Sequence, residues 1–322
     1  MTQYKVVRGM RFWLCMILNI TFLMITACTD ENAEIIQDMK GKTLDLSSFS
    51  KEKPQKPINL LFIHHSTGGQ LLADKGPERG KDCIYSSHPN GGGLRNLLSQ
   101  NNYIVHEASY NSLVGDKTDI CHWNAKFRDH MEEVLTCNKQ DEFFADGTRN
   151  HIVLFKSCFP NSYIESEGSY PGDPDSCQKT LTNYKAVYNS LRDYFANQPN
   201  TLFVVITAPP LVEPRLSNKG RIKEAIKALL GRQNTIAALG NRIRRFNNWL
   251  KDVESGWLKG YPHKNIIVFD YYDILTDQGR SNWALYPSGD GNDEHPNNNG
   301  NMKAAQALVP FLNQAVHRMG LE

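Results

Sequence analysis

The stretch "LFIHHSTGG" (61–69) sets two histidines, a serine, a threonine and two glycines directly after an apolar run. A hydroxyl at the end of a buried strand can attack a carbonyl if an imidazole takes its proton and N–H groups receive the new negative charge. The glycines permit a tight turn, and a helix starting just beyond would leave free amides beside Ser66. Near the other end of the chain, the polar loop "SGDGNDEHPNNNG" (288–300) carries His295, a residue type whose ordinary pKa suits a general base. A third cluster, "FKSCFPNS" (155–162), follows another apolar run and offers Asn161, a neutral amide that donates without ionising. Each cluster also has a purely structural use. Serine caps helices, His-Pro shapes a helix entry, and an asparagine beside proline forms turns. Gly-x-Ser-x-Gly does not surround Ser66, and no Gly-Lys-Ser/Thr follows it, so neither the common hydrolase elbow nor a phosphate loop applies.

These groups act together only if the fold brings them to one edge. Five short apolar runs read as strands buried on both faces: 58–63, 103–108, 151–156, 201–207 and 265–270. Amphipathic segments lie between and after them, at about 123–137, 178–197, 220–253 and 299–318. In the last, Ala304, Ala305, Leu308, Val309, Leu312 and Val316 recur at helical spacing; in the third, Gly231 and Gly240 are expected to interrupt the helix. Alternating strands and helices imply one domain with a parallel sheet covered on both faces and an active site at the strands' carboxyl ends. Ser66 and Asn161 fall there, and His295 lies on the loop before the last helix. His64 and His65 point to opposite faces if the strand persists, so one is expected to line the site and the other to pack beneath the turn.

The order of these blocks is serine after strand one, asparagine after strand three and histidine before the last helix. In this the chain resembles the SGNH (GDSL-like) hydrolase superfamily, as an outlying branch whose serine block reads IHHSTG. The resemblance covers about residues 58–318. It implies a three-layer α/β/α sandwich with a central, mostly parallel five-stranded sheet of flavodoxin-like type. It also implies a serine esterase working through an acyl-enzyme, with no cofactor. Ser66 would be the nucleophile and His295 its base. Asn161 and the Ser66 N–H would bind the oxyanion. Gly115 in "ASYNSLVGDK" would be the glycine that follows strand two, with Asn111 as the alternative. The family's acid stands three residues before the histidine, where this chain has Asn292. Asp293 and Asp290 lie two and five residues before it, and Asp293 is expected to orient the ring. The substrate class implied is a small ester or an O-acetylated glycan. A non-catalytic glycan-binding lipoprotein, favoured by Asn292 and the missing Gly-Asp-Ser, and an O-acyltransferase are the rival readings. No metal is expected, since His64, His65 and His295 lack a ligand spacing. Trp123 reads as core rather than a sugar platform, and "SSHPNGGG" (86–93) as a rim loop near the site.

The chain has 322 residues, is 40% hydrophobic and 22% charged, and carries a formal charge of +2. Lys5, Arg8 and Arg11 lie in the first 27 residues with no acid, so the remainder is close to neutral. With no basic stripe, nucleic acid is not an expected partner. Residues 1–27 read as a lipoprotein signal peptide: a basic start, the apolar "FWLCMILNITFLMI" (12–25), then "ITAC" ending at Cys28. Cys28 would be lipidated, residues 28–56 would form a polar tether and 57–322 the domain. The protein would then be exported and anchored on a bacterial membrane, at the periplasmic face or cell surface. Of the seven cysteines, Cys83, Cys121, Cys137, Cys158 and Cys177 remain once Cys15 and Cys28 are set aside. They contain no CxxC pair, and one or two disulfides are expected with one thiol left over.

Overall fold

Strand β1 (Ile58–Ile63) alternates its side chains between two hydrophobic layers: Leu61 and Ile63 join one, Leu60 and Phe62 the other. Both layers are fully buried, which is why the run is apolar throughout rather than at every second residue. A computed structural model describes residues 41–232 and 234–321. The expected leader, Cys28 and the expected tether as far as residue 40 lie outside the described residues.

Beyond β1 the chain forms α1 (Ser66–Leu72) and a small three-stranded sheet of β2 (Asp74–Lys75), β3 (Arg79–Lys81) and β4 (Ile84–His88). Helix α2 (Leu94–Gln100) and strand β5 (Tyr103–Ala108) follow. Next come α3 (Trp123–Asp129), α4 (Met131–Thr136), β6 (Cys137–Lys139), β7 (Glu142–Phe143) and β8 (Ile152–Lys156). The remainder is α5 (Leu181–Ala196), β9 (Leu202–Ile206), α6 (Asn218–Leu229), α7 (Ile236–Lys251), β10 (Ile266–Phe269) and α8 (Tyr271–Leu275). A short hairpin of β11 (Pro287–Ser288) and β12 (Asp293–Pro296) leads into α9 (Asn298–Met319). The central sheet has seven strands in the order β10-β9-β8-β1-β5-β6-β7, parallel except for the β6–β7 pair. The five expected strands are all present. The extra two are short and polar ("CNK", "EF") and carry no apolar run to reveal them.

Residues of α3, α4, α5 and α7 cover one face of this sheet, and residues of α1, α2, α8 and α9 the other. The chain is therefore a three-layer α/β/α sandwich. Strand β1 lies between β5 and β8, so the connections leave it in opposite directions. At such a switch point the two departing loops part and open a crevice at the carboxyl ends.

Three expectations change. Residues 42–56 do not form a tether: Leu46 is buried in the α9-side core, and Gln314 Nε2 donates to its carbonyl (2.7 Å). Gly231, with φ +64, does end the α6 segment, but Gly240 lies inside α7. A Cβ on Gly240 would come within 3.0 Å of Asn282 Cβ, so close packing rather than helix breaking accounts for that glycine. The segment 123–137 divides at His130 into two short helices.

A buried ion cluster ties α7 to α8 and to the loop that precedes the β11–β12 hairpin. Lys251 Nζ donates to Asp270 and to Asp273 (2.7 Å), and Arg244 donates to Asp273, Thr276 (2.9 Å) and the Ser281 carbonyl (2.6 Å). Removing one partner leaves uncompensated buried charge, which costs about 3–5 kcal/mol. Lys251→Met is expected to lower unfolding free energy by about that amount in denaturant titrations; a loss below about 1 kcal/mol would contradict the cluster's role.

Candidate active site

The backbone leaves β1 through His64 and His65 and enters α1 at Ser66. The amides of Gly68 and Gly69 donate to the His65 carbonyl (2.8 and 3.2 Å) and close the first turn. Both glycines are needed for close approach: a Cβ at Gly68 would lie 2.3 Å from His64 Cβ, and one at Gly69 would lie 1.9 Å from the Cys83 carbonyl oxygen. Ser66 and Thr67, the first residues of the helix, have N–H groups with no acceptor inside it.

From the other end of the chain, β12 brings His295 to the same place. His295 Nε2 lies 3.1 Å from Ser66 Oγ, and its Nδ1 lies 2.6 Å from Asp293 Oδ1. The same carboxylate accepts from the His295 backbone N–H (3.0 Å) and from Ser288 Oγ (3.0 Å). Burial works against its charge, but these hydrogen bonds outweigh that and hold the Asp293 pKa below the usual carboxylate range. With Nδ1–H committed to Asp293, Nε2 faces the serine hydroxyl as an acceptor. Asn292 and Asp290 are exposed, and Asp293 alone of the three contacts the ring. The Phe159 ring meets the imidazole edge-on, 4.9 Å between centroids.

Ser66 and His295 open into a cleft of about 630 Å³ that His65, Tyr110, Cys158 and Phe159 also line, with Asp116, Lys117, Asp119 and His122 along its wall. His65 Nε2 donates to the Gly115 carbonyl (2.9 Å), and its ring stacks on Tyr110 at 3.6 Å. Burial pushes its pKa down to about 4, so the ring is neutral at pH 7. His64 is fully buried and pairs with Glu107 (3.1 Å), which Arg95 also holds. One histidine therefore lines the cleft and the other packs beneath the turn, as the alternation of side chains requires.

Asn161 and Gly115 depart from expectation. Asn161 is 1% exposed, and its Nδ2 donates to Asp119 Oδ1 (2.7 Å) and to the Cys158 carbonyl (3.3 Å) while its Oδ1 accepts from the Ile120 N–H (2.8 Å). The Gly115 N–H donates to Ser112 Oγ (3.0 Å). Both donors are committed inside the protein, so neither is free to meet an oxyanion. Instead they fix the 109–120 loop that walls the cleft. Asn111 donates to Asp82 (2.7 Å) at the surface and does not replace them. The SSHPNGGG stretch forms part of β4 and a turn packed on the exit of α1, where Gly92 N–H donates to the Gln70 carbonyl (2.9 Å), and it does not line the cleft. Trp123 is fully buried and donates to Ser157 Oγ (2.9 Å), as a core residue does.

Two groups beneath the nucleophile, Lys156 and Cys158, carry no sequence signal of their role. Lys156, at the end of β8, is 1% exposed; its ammonium donates to Thr67 Oγ1 and lies 5.9 Å from the Tyr271 ring. Burial pulls its pKa down to about 8. Cys158 Sγ lies 3.3 Å from Ser66 Oγ and 3.5 Å from Thr67 Oγ1. Cys121 and Cys177 form a disulfide, while Cys83, Cys137 and Cys158 are free, so among the described residues three thiols remain rather than one. The disulfide fastens the segment carrying Asp119 and His122 to the loop before α5. His122 comes near the two sulfurs, but these are bonded to each other and leave it as a lone ligand.

No family model matches this chain, and no curated protein does. Among solved structures it is similar to a Corynascus thermopiles (Myceliophthora fergusii) carbohydrate esterase family 2 enzyme with a carbohydrate-binding domain, at 13% identity and TM-score 0.40, covering 82% of this chain and 67% of that one. It is also similar to an acetylxylan esterase catalytic mutant from Geobacillus stearothermophilus, at 14% identity and TM-score 0.38, covering 82% and 96%. A gut microbial diltiazem-metabolizing enzyme matches at 13% identity and TM-score 0.41, covering 81% of this chain and 48% of that one.

The burial of His65 has a consequence for acid stability. Its folded pKa, about 4, lies below the ordinary 6.5, so the unfolded chain binds more protons between these values. Its contribution is fully present above pH 6.5 and is lost as pH falls through 4. His65→Gln, which can keep the bond to Gly115, is expected to flatten that part of the curve in urea midpoints measured across pH; a variant curve parallel to wild type would contradict this.

Proposed function

We propose that the protein is a serine esterase of the SGNH (GDSL-like) type that hydrolyses esters through an acyl-enzyme. The observation that carries this reading is the unbroken chain of contacts Ser66–His295–Asp293, at 3.1 and 2.6 Å, opening into a cleft. His295 Nε2 takes the hydroxyl proton as Ser66 Oγ attacks the ester carbonyl. Asp293 stabilises the imidazolium that forms. The negative charge on the carbonyl oxygen develops beside the Ser66 N–H at the start of α1. His295 then gives its proton to the departing alcohol, leaving an acylated Ser66. Water, deprotonated by the same imidazole, releases the acid and restores the serine.

The polar wall of Asp116, Lys117, Asp119 and His122, beside the Tyr110 and Phe159 rings, supports an O-acetylated glycan as substrate, since sugars present hydroxyls and apolar faces together. The non-catalytic alternative loses its main support, because the carboxylate that Asn292 lacks is supplied by Asp293. The leader sequence and the Cys121–Cys177 disulfide support export to an oxidising compartment and anchoring through Cys28.

A fluorophosphonate probe is expected to label Ser66, and Ser66→Ala to abolish both labelling and hydrolysis of p-nitrophenyl acetate. Asp293→Asn, which favours the wrong tautomer, should lower kcat on the order of 10³–10⁴-fold. Labelling at another serine, or unchanged turnover in Ser66→Ala, would overturn the proposal.

A further inference from the structure

Helix α6 is amphipathic the wrong way round for a surface helix. Such helices normally turn their apolar stripe toward the core and their charges toward water. In α6 no residue is buried. Ile222, Ile226, Leu229 and Leu230 recur at i, i+4, i+7 and i+8, on one face, and are 62%, 52%, 87% and 64% exposed. The polar face is the one fastened to the protein. Glu224 pairs with Lys227 (2.5 Å) and accepts from the Ile236 N–H (2.9 Å) at the start of α7, and both side chains are mostly covered. Fixing the helix by its charged pair forces the apolar stripe outward.

The charges around that stripe indicate what it meets. Lys219, Arg221 and Lys223 stand beside it in the first turns of the helix, and Arg232 follows Gly231. Glu224, the one acid of the helix, is on the far side and already paired. An apolar stripe flanked by Lys219, Arg221 and Lys223, with Glu224 turned to the other side, matches a surface that is apolar within and anionic at its rim. It matches a second copy of the same basic helix poorly, because like charges would face each other. We propose that α6 is an interfacial helix that lies on a bilayer containing anionic phospholipid. Its apolar side chains enter the acyl boundary and its basic ones sit among the headgroups. The 207–217 loop that carries it leaves the carboxyl end of β9, the edge that holds the cleft. Contact through α6 therefore adds a second, orienting attachment to whatever other anchor the chain has. Among the described residues no helix is long and apolar enough to cross a membrane.

The test is hydrogen–deuterium exchange on the full chain in nanodiscs of phosphatidylglycerol or of phosphatidylcholine. Peptides over 218–230 are expected to exchange about tenfold more slowly in phosphatidylglycerol than in phosphatidylcholine. The double variant Ile222→Ser, Leu229→Ser is expected to remove that protection while melting at the wild-type temperature, since both positions are exposed. Equal exchange in both lipids, protection that survives the double variant, or protection in detergent that grows with protein concentration (a second copy) would each overturn the proposal. The readout is local to α6 and independent of esterase activity.

Discussion

The hydrogen bond between His295 Nδ1 and Asp293 is the contact on which the chemistry of this site depends. A neutral imidazole can present either nitrogen as acceptor, and only the form with its proton on Nδ1 can take a proton from Ser66. Asp293 fixes that form, and it is itself fixed by the His295 backbone N–H and by Ser288 across the β11–β12 hairpin. The carboxylate, the ring and the backbone thus share one short turn. This arrangement lets an acid two residues before the histidine do what a more distant acid would otherwise do.

The rest of the fold keeps the serine and histidine in register. The sheet places the start of α1 and the end of β8 side by side at the switch point. Buried polar groups then hold the loops that leave it. Lys126 donates to the carbonyls of Val114 and Asp116 (2.6 Å for the latter), Asn161 pins Asp119 and Ile120, and Glu107 locks His64 under the turn. Among the described residues Lys156 has no carboxylate hydrogen-bond partner; its contacts include the Thr67 hydroxyl and the Tyr271 ring. A cation held there lies one residue from the nucleophile and favours negative charge at the first turn of α1.

Much of the architecture is legible in the sequence because strands buried on both faces leave continuous apolar runs, which few other elements do. The α9 stripe, from Ala304 to Val316, is equally plain, and each of its six positions is buried. The short β6 and β7 leave no such trace. Ser66 and His295 are legible through their order along the chain, and Asp293 through its nearness to the histidine. Asn161 shows where sequence reading stops: an amide's residue type declares that it can donate, while its partner is set by a loop 42 residues away. Cys158 and Lys156 are hidden for a related reason. A lysine ending an apolar run reads as the strand's edge, and only the packing of β8 against α1 makes it a buried neighbour of Thr67. Residues 42–56 read as polar tether because a few apolar side chains, Leu46 among them, suffice to fasten a segment.

The central claim is that His295 is held as the Nδ1–H tautomer facing Ser66. Nitrogen NMR of the protein labelled with ¹⁵N-histidine, with the ring assigned by His295→Asn, measures this directly. The neutral ring should show a protonated Nδ1 and an unprotonated Nε2. A ring protonated on Nε2, or one exchanging freely between the two forms, would contradict the account.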